Sequence, residues 1–202
     1  YFRWVATGLE EPMTTHADRF KFNTGYGMSA YDKGSIFLSQ LQYIIGKENF
    51  DNTLKKYFND WSFRHPKPND FIRSAEKVSG LELDWYLLDW AQSTMTIDYS
   101  INSVYGVDNK TKIVLKRIGQ MGMPIDIRIV LDSGDYLDYN IPMTKMRGSK
   151  PLNNSTLLDS WSWAKPYYEF WINIDSKDVS KILIDPKNEM ADIDRNNNSL
   201  DL

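Results

Sequence analysis

An α+β fold in two parts is what this sequence predicts: a helical segment over residues 1–95, then an antiparallel β-sandwich over residues 96–202. Three observations lead there. From Tyr31 to about Gln92 the apolar residues recur at intervals of three and four, the period of a helix with one buried face. Near Thr96 the period changes to two, the period of a strand. Helices come first and strands afterwards, an order that implies separate layers or domains rather than an alternating parallel sheet.

The helical elements follow in order. Ala30 to Ile45 reads as a helix that buries Ile36, Phe37, Leu41, Ile44 and Ile45 and stops at Gly46. About Glu48 to Trp61 reads as a second helix. Its stripe of Phe50, Leu54, Tyr57, Phe58 and Trp61 keeps the i, i+4, i+7, i+8, i+11 rhythm of one buried face. The prolines of RHPKPND then break the chain. Asn69 is positioned to cap a third helix, Asp70 to Ser79, which Gly80 ends. LDWYLLDWA, beginning at Leu83, is a short fourth helix.

IDYSINSV opens the strand region, with Ile97, Tyr99, Ile101 and Ser103 on one side. KIVLKRI, IDIRIVL, DYLDYNI, YYEFWINI and KILID read as further strands, and VDNKTK and DSGD as hairpin turns. An immunoglobulin-like sandwich is the expected arrangement. Gly148 to Thr156, GSKPLNNST, is a long polar loop within it.

The bulk numbers bound the function. The 202 residues are 42% hydrophobic and 14% aromatic, enough for a packed core. Net charge is -3 and no basic stripe is visible, which argues against nucleic-acid binding. No apolar run has the length of a membrane span. There is no cysteine, hence no disulfide, thiolate metal site or cysteine nucleophile. The two histidines, His16 and His65, stand far apart, and HExxH is missing. The chain begins at Tyr1 without a methionine and is read as a piece of something longer.

The segment GYGMSAYDKG, Gly25 to Gly34, holds the candidate chemistry. It sets Tyr26 and Tyr31 five positions apart, the wrong step for one α-helical face. Ser29 and Asp32 form an S-x-x-D capping pair, which would place Tyr31 in the first helical turn and Tyr26 in the preceding loop, freed by Gly25 and Gly27. Gly34 would let another chain segment approach that helix. A phenol held on a rigid element is a neutral donor suited to negative charge developing on a substrate oxygen. Packing, with one satisfied hydroxyl, explains the same spacing. Lys33 is expected to reach solvent or pair with a carboxylate.

Residues beyond that pair carry a resemblance. Tyr31-x-Lys33-Gly34 is followed by Gly46, Phe50, Tyr57, Asp70-Phe71, Ser79-Gly80 and Leu83-Asp84-Trp85. This ordered series resembles the zinc aminopeptidases of the alanyl-aminopeptidase type, the gluzincin peptidase family M-one. The resemblance runs from about Glu11 to Trp90 and extends weakly into the strands. HPKPNDF looks most like its bacterial branch.

The resemblance implies that Tyr31 donates its phenol to the tetrahedral intermediate of peptide hydrolysis, with Tyr26 a second tyrosine near the scissile bond. It implies peptide substrates, and zinc in the parent protein, bound by an upstream half that this chain lacks. HExxH, the distal glutamate and Gly-x-Met-Glu-Asn are all absent here. A catalytic zinc needs three protein ligands, which two isolated histidines do not supply, so no metal or cofactor site is expected in this chain, and no activity from it alone. His16 reads as a hydrogen-bonded structural histidine and His65 as a loop brace. The competing readings are a non-catalytic peptidase-like scaffold and a β-sandwich binding module, the latter with Tyr26 and Tyr31 buried. Self-association through the surface that met the upstream half is also expected, with the helical part packing less completely than the sandwich. The compartment is undetermined, with periplasmic or secreted favoured over cytoplasmic.

Weaker signals remain. Asp192, Asp194 and Asn196 have the D-x-D-x-N spacing that opens a calcium loop, but the turn glycine and the closing glutamate are missing, and a frayed polar terminus is expected. WSWAKPYYEFW carries Trp161, Trp163, Tyr167, Tyr168 and Trp171. It fits a sugar- or peptide-binding platform, or a loop feeding a core strand with alternate rings buried, the reading preferred here. Met121 and Met123 are expected to fill gaps beside a strand. Glu76, Glu82, Asp84 and Asp89 read as polar faces and caps of short helices.

Overall fold

The computed structural model describes residues 1–152 and 154–202. The chain is α+β and divides into two compact units. One comprises Tyr1–Met95 with Lys145–Pro151, the other Thr96–Thr144 with Leu152–Leu202. The polar loop expected inside the sandwich therefore gives its first part, Gly148 to Pro151, to the helical unit; Asn153 of that loop lies outside the described residues.

The helical unit contains α1 (Phe2–Val5), α2 (Asn23–Gly27), a π-helical turn (Met28–Lys33), α3 (Gly34–Ile45), α4 (Lys47–Trp61), α5 (Pro68–Ser79) and α6 (Asp84–Ala91). Leu41, Ile44 and Ile45 of α3, Ile72 and Ala75 of α5 and Tyr86 and Trp90 of α6 form its dry core. Rings bind these helices together: Phe37 lies 4.9 Å from Tyr86, and Tyr57 lies 5.1 Å edge-on to Phe71. Gly46 and Gly80, both at positive φ, end α3 and α5 where the sequence places the stops.

Two local expectations fail here. Asn69 does not cap α5. Lys67 precedes the helix, Pro68 takes its first position, where a missing N–H costs nothing, and the Asp70 carboxylate accepts from the Lys67 N–H at 2.7 Å. On α4, Leu54 and Phe58 are 41% and 68% exposed, while Thr53 is fully buried between half-buried Phe50 and Tyr57. The Thr53 hydroxyl donates to the Asn49 carbonyl at 2.7 Å, one turn back. A polar side chain satisfied within its own helix can turn inward, and that rotates the buried face away from Leu54 and Phe58.

The second unit holds two sheets. One has the order β1 (Tyr99–Val107), β2 (Lys110–Arg117), β6 (Tyr167–Ile172). The other runs β5 (Thr156–Leu157), β4 (Tyr136–Ile141), β3 (Ile125–Leu131), β7 (Val179–Ile184), β8 (Ser199–Asp201). Pairing is antiparallel except for the short β4–β5 ladder, which is parallel. Ile125, Ile127 and Ile129 of β3 point inward in alternation, as do Ile113 and Leu115 of β2. Tyr139 and Phe170, one from each sheet, meet at 5.8 Å. Asp108 and Asn109, both at positive φ, make the tight β1–β2 turn.

Ser103 does not share a side with Ile101. A bulge between them shifts the register, so that Ile101 faces Leu115 whereas Ser103 faces Val114. The terminus is not frayed. β8 pairs with β7, and buried Asp192 ties the segment down by accepting from the Tyr99 N–H at 2.9 Å. Backbone pairing with a strand distant in sequence is what composition alone conceals. Trp161 and Phe170 are buried and Tyr168 half-buried, whereas Trp163, Tyr167 and Trp171 are about half exposed.

Candidate active-site segment

The segment around the two tyrosines is not a loop feeding a helix start. α2, the π turn and α3 follow one another without a break from Asn23 to Ile45. Tyr26 sits in α2 and Tyr31 within the π turn, so Tyr31 does not occupy an opening turn. Ser29 is not an N-cap. Its hydroxyl is buried and donates to the Glu11 carbonyl at 3.3 Å, and Gly27 before it is already helical.

Packing explains why glycines that disfavour helix are nevertheless helical here. Gly25 is buried, and a Cβ on it would stand 3.4 Å from a Glu11 carboxylate oxygen and 3.5 Å from the Trp4 ring. Contact with the preceding segment outweighs the intrinsic cost of glycine, about 1 kcal/mol per residue. At Gly34 no other segment approaches: a Cβ would meet only the Ser29 carbonyl oxygen, at 3.9 Å.

The five-residue step now has a structural setting. A π turn closes its hydrogen bonds from residue i to residue i+5, one more than an α-helix, and such turns occur as single insertions, often at functional sites. The step from Tyr26 in α2 to Tyr31 equals the hydrogen-bond spacing of the π turn that holds Tyr31. Tyr31 is 76% exposed and Tyr26 46% exposed. This is the opposite of the burial expected of a free-standing module that uses both rings for packing. Phe20 supports Tyr26 edge-on at 5.6 Å.

The base of the turn is fixed by charge. The Lys33 residue is 1% exposed and its ammonium lies 2.5 Å from the Glu10 carboxylate. The contact is an ion pair rather than an aligned hydrogen bond; the ammonium's aligned bond goes to the Ser93 carbonyl at 3.0 Å. Of the two fates expected for Lys33, it takes the carboxylate. The exposed phenol of Tyr31 thus stands on a turn that ends in a buried ion pair.

His16 caps the short 3-10 turn Ala17–Arg19, its Nδ1 accepting from the Asp18 N–H at 3.3 Å, and His65 is exposed. Among the described residues, Glu76, Glu82 and Asp84 are the acidic or histidine side chains that lie close enough together to share an ion, within 4.8 Å. Spacing along the chain carries no sign of this convergence, because the reversal between α5 and α6 creates it. Burial pushes the Glu76 carboxyl up, and it already accepts from the Leu83 N–H at 2.9 Å. A carboxylate-only set, one member of which already accepts from a backbone N–H, does not match a catalytic zinc site.

Residues 6–90 match the family model described as the Peptidase family M1 domain. Among solved structures, the chain is similar to Legionella pneumophila aminopeptidase A, crystallised in complex with aspartic acid. The TM-score is 0.52 at 19% identity over 80% of this chain. That alignment covers 17% of the Legionella chain, and at this identity it speaks for the fold alone. No curated protein matches the chain significantly. The helical segment from Ala6 to Trp90, with its tyrosine-bearing π turn, is thus the part of the chain that matches the Peptidase family M1 domain model.

Proposed function

We propose that this chain is the C-terminal part of a zinc-dependent aminopeptidase, that Tyr31 is its oxyanion-stabilising residue, and that the chain is inactive by itself. The single observation that carries the reading is the placement of Tyr31. Its phenol is exposed on a rigid π turn inside the segment that matches the peptidase family model.

In the proposed reaction, residues outside this chain would hold a zinc ion, whose chemistry would be to activate a water toward the peptide carbonyl. Tyr31 donates its phenolic O–H to the carbonyl oxygen as negative charge builds there. Because the turn is held by its buried Lys33–Glu10 pair, the donor needs little reorganisation, which is where electrostatic catalysis gains most. Tyr26, half exposed beside it, is proposed to line the same substrate path. The upstream, zinc-bearing half is the proposed partner of this chain.

Tyr31→Phe in the intact parent tests the assignment. Turnover of an aminoacyl substrate should fall ~100- to 1000-fold with little change in KM. Unchanged turnover refutes the role of Tyr31. The isolated 202-residue chain should show no turnover of the same substrate, and activity from it would refute the requirement for an upstream half.

A further inference from the structure

β5 runs parallel to β4, with Tyr139 opposite Thr156 and Asn140 opposite Leu157. A parallel neighbour cannot be reached through a tight turn, so the chain between Ile141 and Thr156 must leave the sheet and come back. Part of that excursion, Lys145–Pro151, is built into the helical unit. Its backbone changes direction sharply: a 3-10 turn over Thr144–Met146 leads into Arg147, which lies in the left-handed region at φ 52°.

The segment touches the helical elements at five places. The Met146 carbonyl accepts from the Glu82 N–H at 3.0 Å, in the reversal between α5 and α6. A Cβ on Gly148 would stand 2.8 Å from Leu81 Cδ2, so the backbone there lies directly against the Leu81 side chain. Lys150 holds its ammonium 4.0 Å from the centre of the Tyr43 ring on α3. Pro151 meets the α3–α4 junction, its Cδ 3.3 Å from where a Cβ on Gly46 would stand. The Lys145 ammonium lies 4.0 Å from the Asp89 carboxylate on α6. Tyr43, Leu81 and Asp89 are buried with the segment in place, and so is Met146.

We propose that Lys145–Pro151 is a strap that closes the helical unit, and that Tyr1–Met95 is incomplete without it. A backbone hydrogen bond, a cation over a ring, an ion pair and two close packing contacts converge from one short segment on α3, the α3–α4 junction, the α5–α6 reversal and α6. Taking the segment away would open Tyr43 and Leu81 to water and release the α5–α6 reversal from its backbone anchor. The strap lies outside residues 6–90, so the stretch that matches the family model is not a self-sufficient folding unit. This role is independent of the peptidase reading, because it concerns what holds the helices and not what Tyr31 does.

The test uses the full 202-residue chain, followed by hydrogen exchange read peptide by peptide in a mass spectrometer. In one variant a glycine and serine linker of equal length takes the place of Lys145–Pro151. Protection of amides in α3, α5 and α6 should fall roughly 10-fold or more, while that of β2, β3 and β7 stays within about twofold. Lys150→Glu leaves the rest of the strap intact and should lower the same helical protection about 2- to 5-fold, which keeps the test alive should the linker variant not fold. Helical protection unchanged in both variants, or an equal fall in helices and strands, overturns the strap.

Discussion

Lys33 and Glu10 form an ion pair at 2.5 Å with both side chains almost out of water, at 2% and 5% exposure. Two residues earlier in the chain, Tyr31 stands in solvent on the same helical turn. Removing one partner of such a pair leaves an uncompensated buried charge. Lys33→Met should lower the stability of the helical unit by ~3–5 kcal/mol. The double variant Lys33→Met/Glu10→Leu should be distinctly less damaged than the single one. Urea unfolding of the three proteins checks this, and equal midpoints for all would mean that the pair does not hold the turn.

Tyr31→Phe should leave stability within about 0.5 kcal/mol of the parent chain, because an exposed hydroxyl gives up little when removed. The same substitution is the one expected to cost turnover in the intact enzyme. A large loss of Tm would mean that the phenol serves the fold instead.

Two glycines should respond oppositely to alanine. A Cβ on Gly119 would stand 2.4 Å from the Thr96 carbonyl oxygen and 2.5 Å from the Asp98 amide nitrogen, backbone atoms that cannot step aside. Gly119→Ala should cost about 3 kcal/mol or more. Gly27 is helical with open space around it, so Gly27→Ala should stabilise by ~0.5–1 kcal/mol. Thermal melts of both variants decide.

Acidification should strengthen the strand-rich unit through Asp185. Its carboxylate accepts from the Glu189 and Met190 N–H groups, yet burial pushes its pKa from 3.8 to about 6. The folded state therefore holds this proton more tightly than the unfolded chain. The stabilisation is complete below about pH 4 and lost as pH rises through 6. Unfolding midpoints at pH 5 and pH 7.5 should differ less in Asp185→Asn than in the parent. Asparagine tolerates the left-handed backbone there, at φ 50°. An unaltered difference would exclude Asp185 as the source.

Phe58, 68% exposed on α4, contributes little to the core. Phe58→Lys should leave Tm nearly unchanged and reduce association of the isolated chain in light scattering. Association that is the same in both proteins would remove Phe58 from the interacting surface.

Sequence alone determined the α+β class, α3 to α6 with the glycine stops of α3 and α5, and six of the strands. Each of these rests on local periodicity or on a backbone requirement that neighbouring residues impose. It also carries the ordered series of residues on which the proposal for Tyr31 rests. Tertiary structure decided the rest. The helix through Tyr26 and Tyr31 forms despite its glycines because Gly25 packs against Trp4 and Glu11. Thr53 faces inward in place of Leu54 and Phe58, since a hydroxyl can be satisfied by its own helix. The terminal segment is fixed by the pairing of β8 with β7 and by the Asp192 carboxylate, which reaches Tyr99, 93 positions away. Periodicity registers only what near neighbours share, and contacts between distant segments leave no period to read.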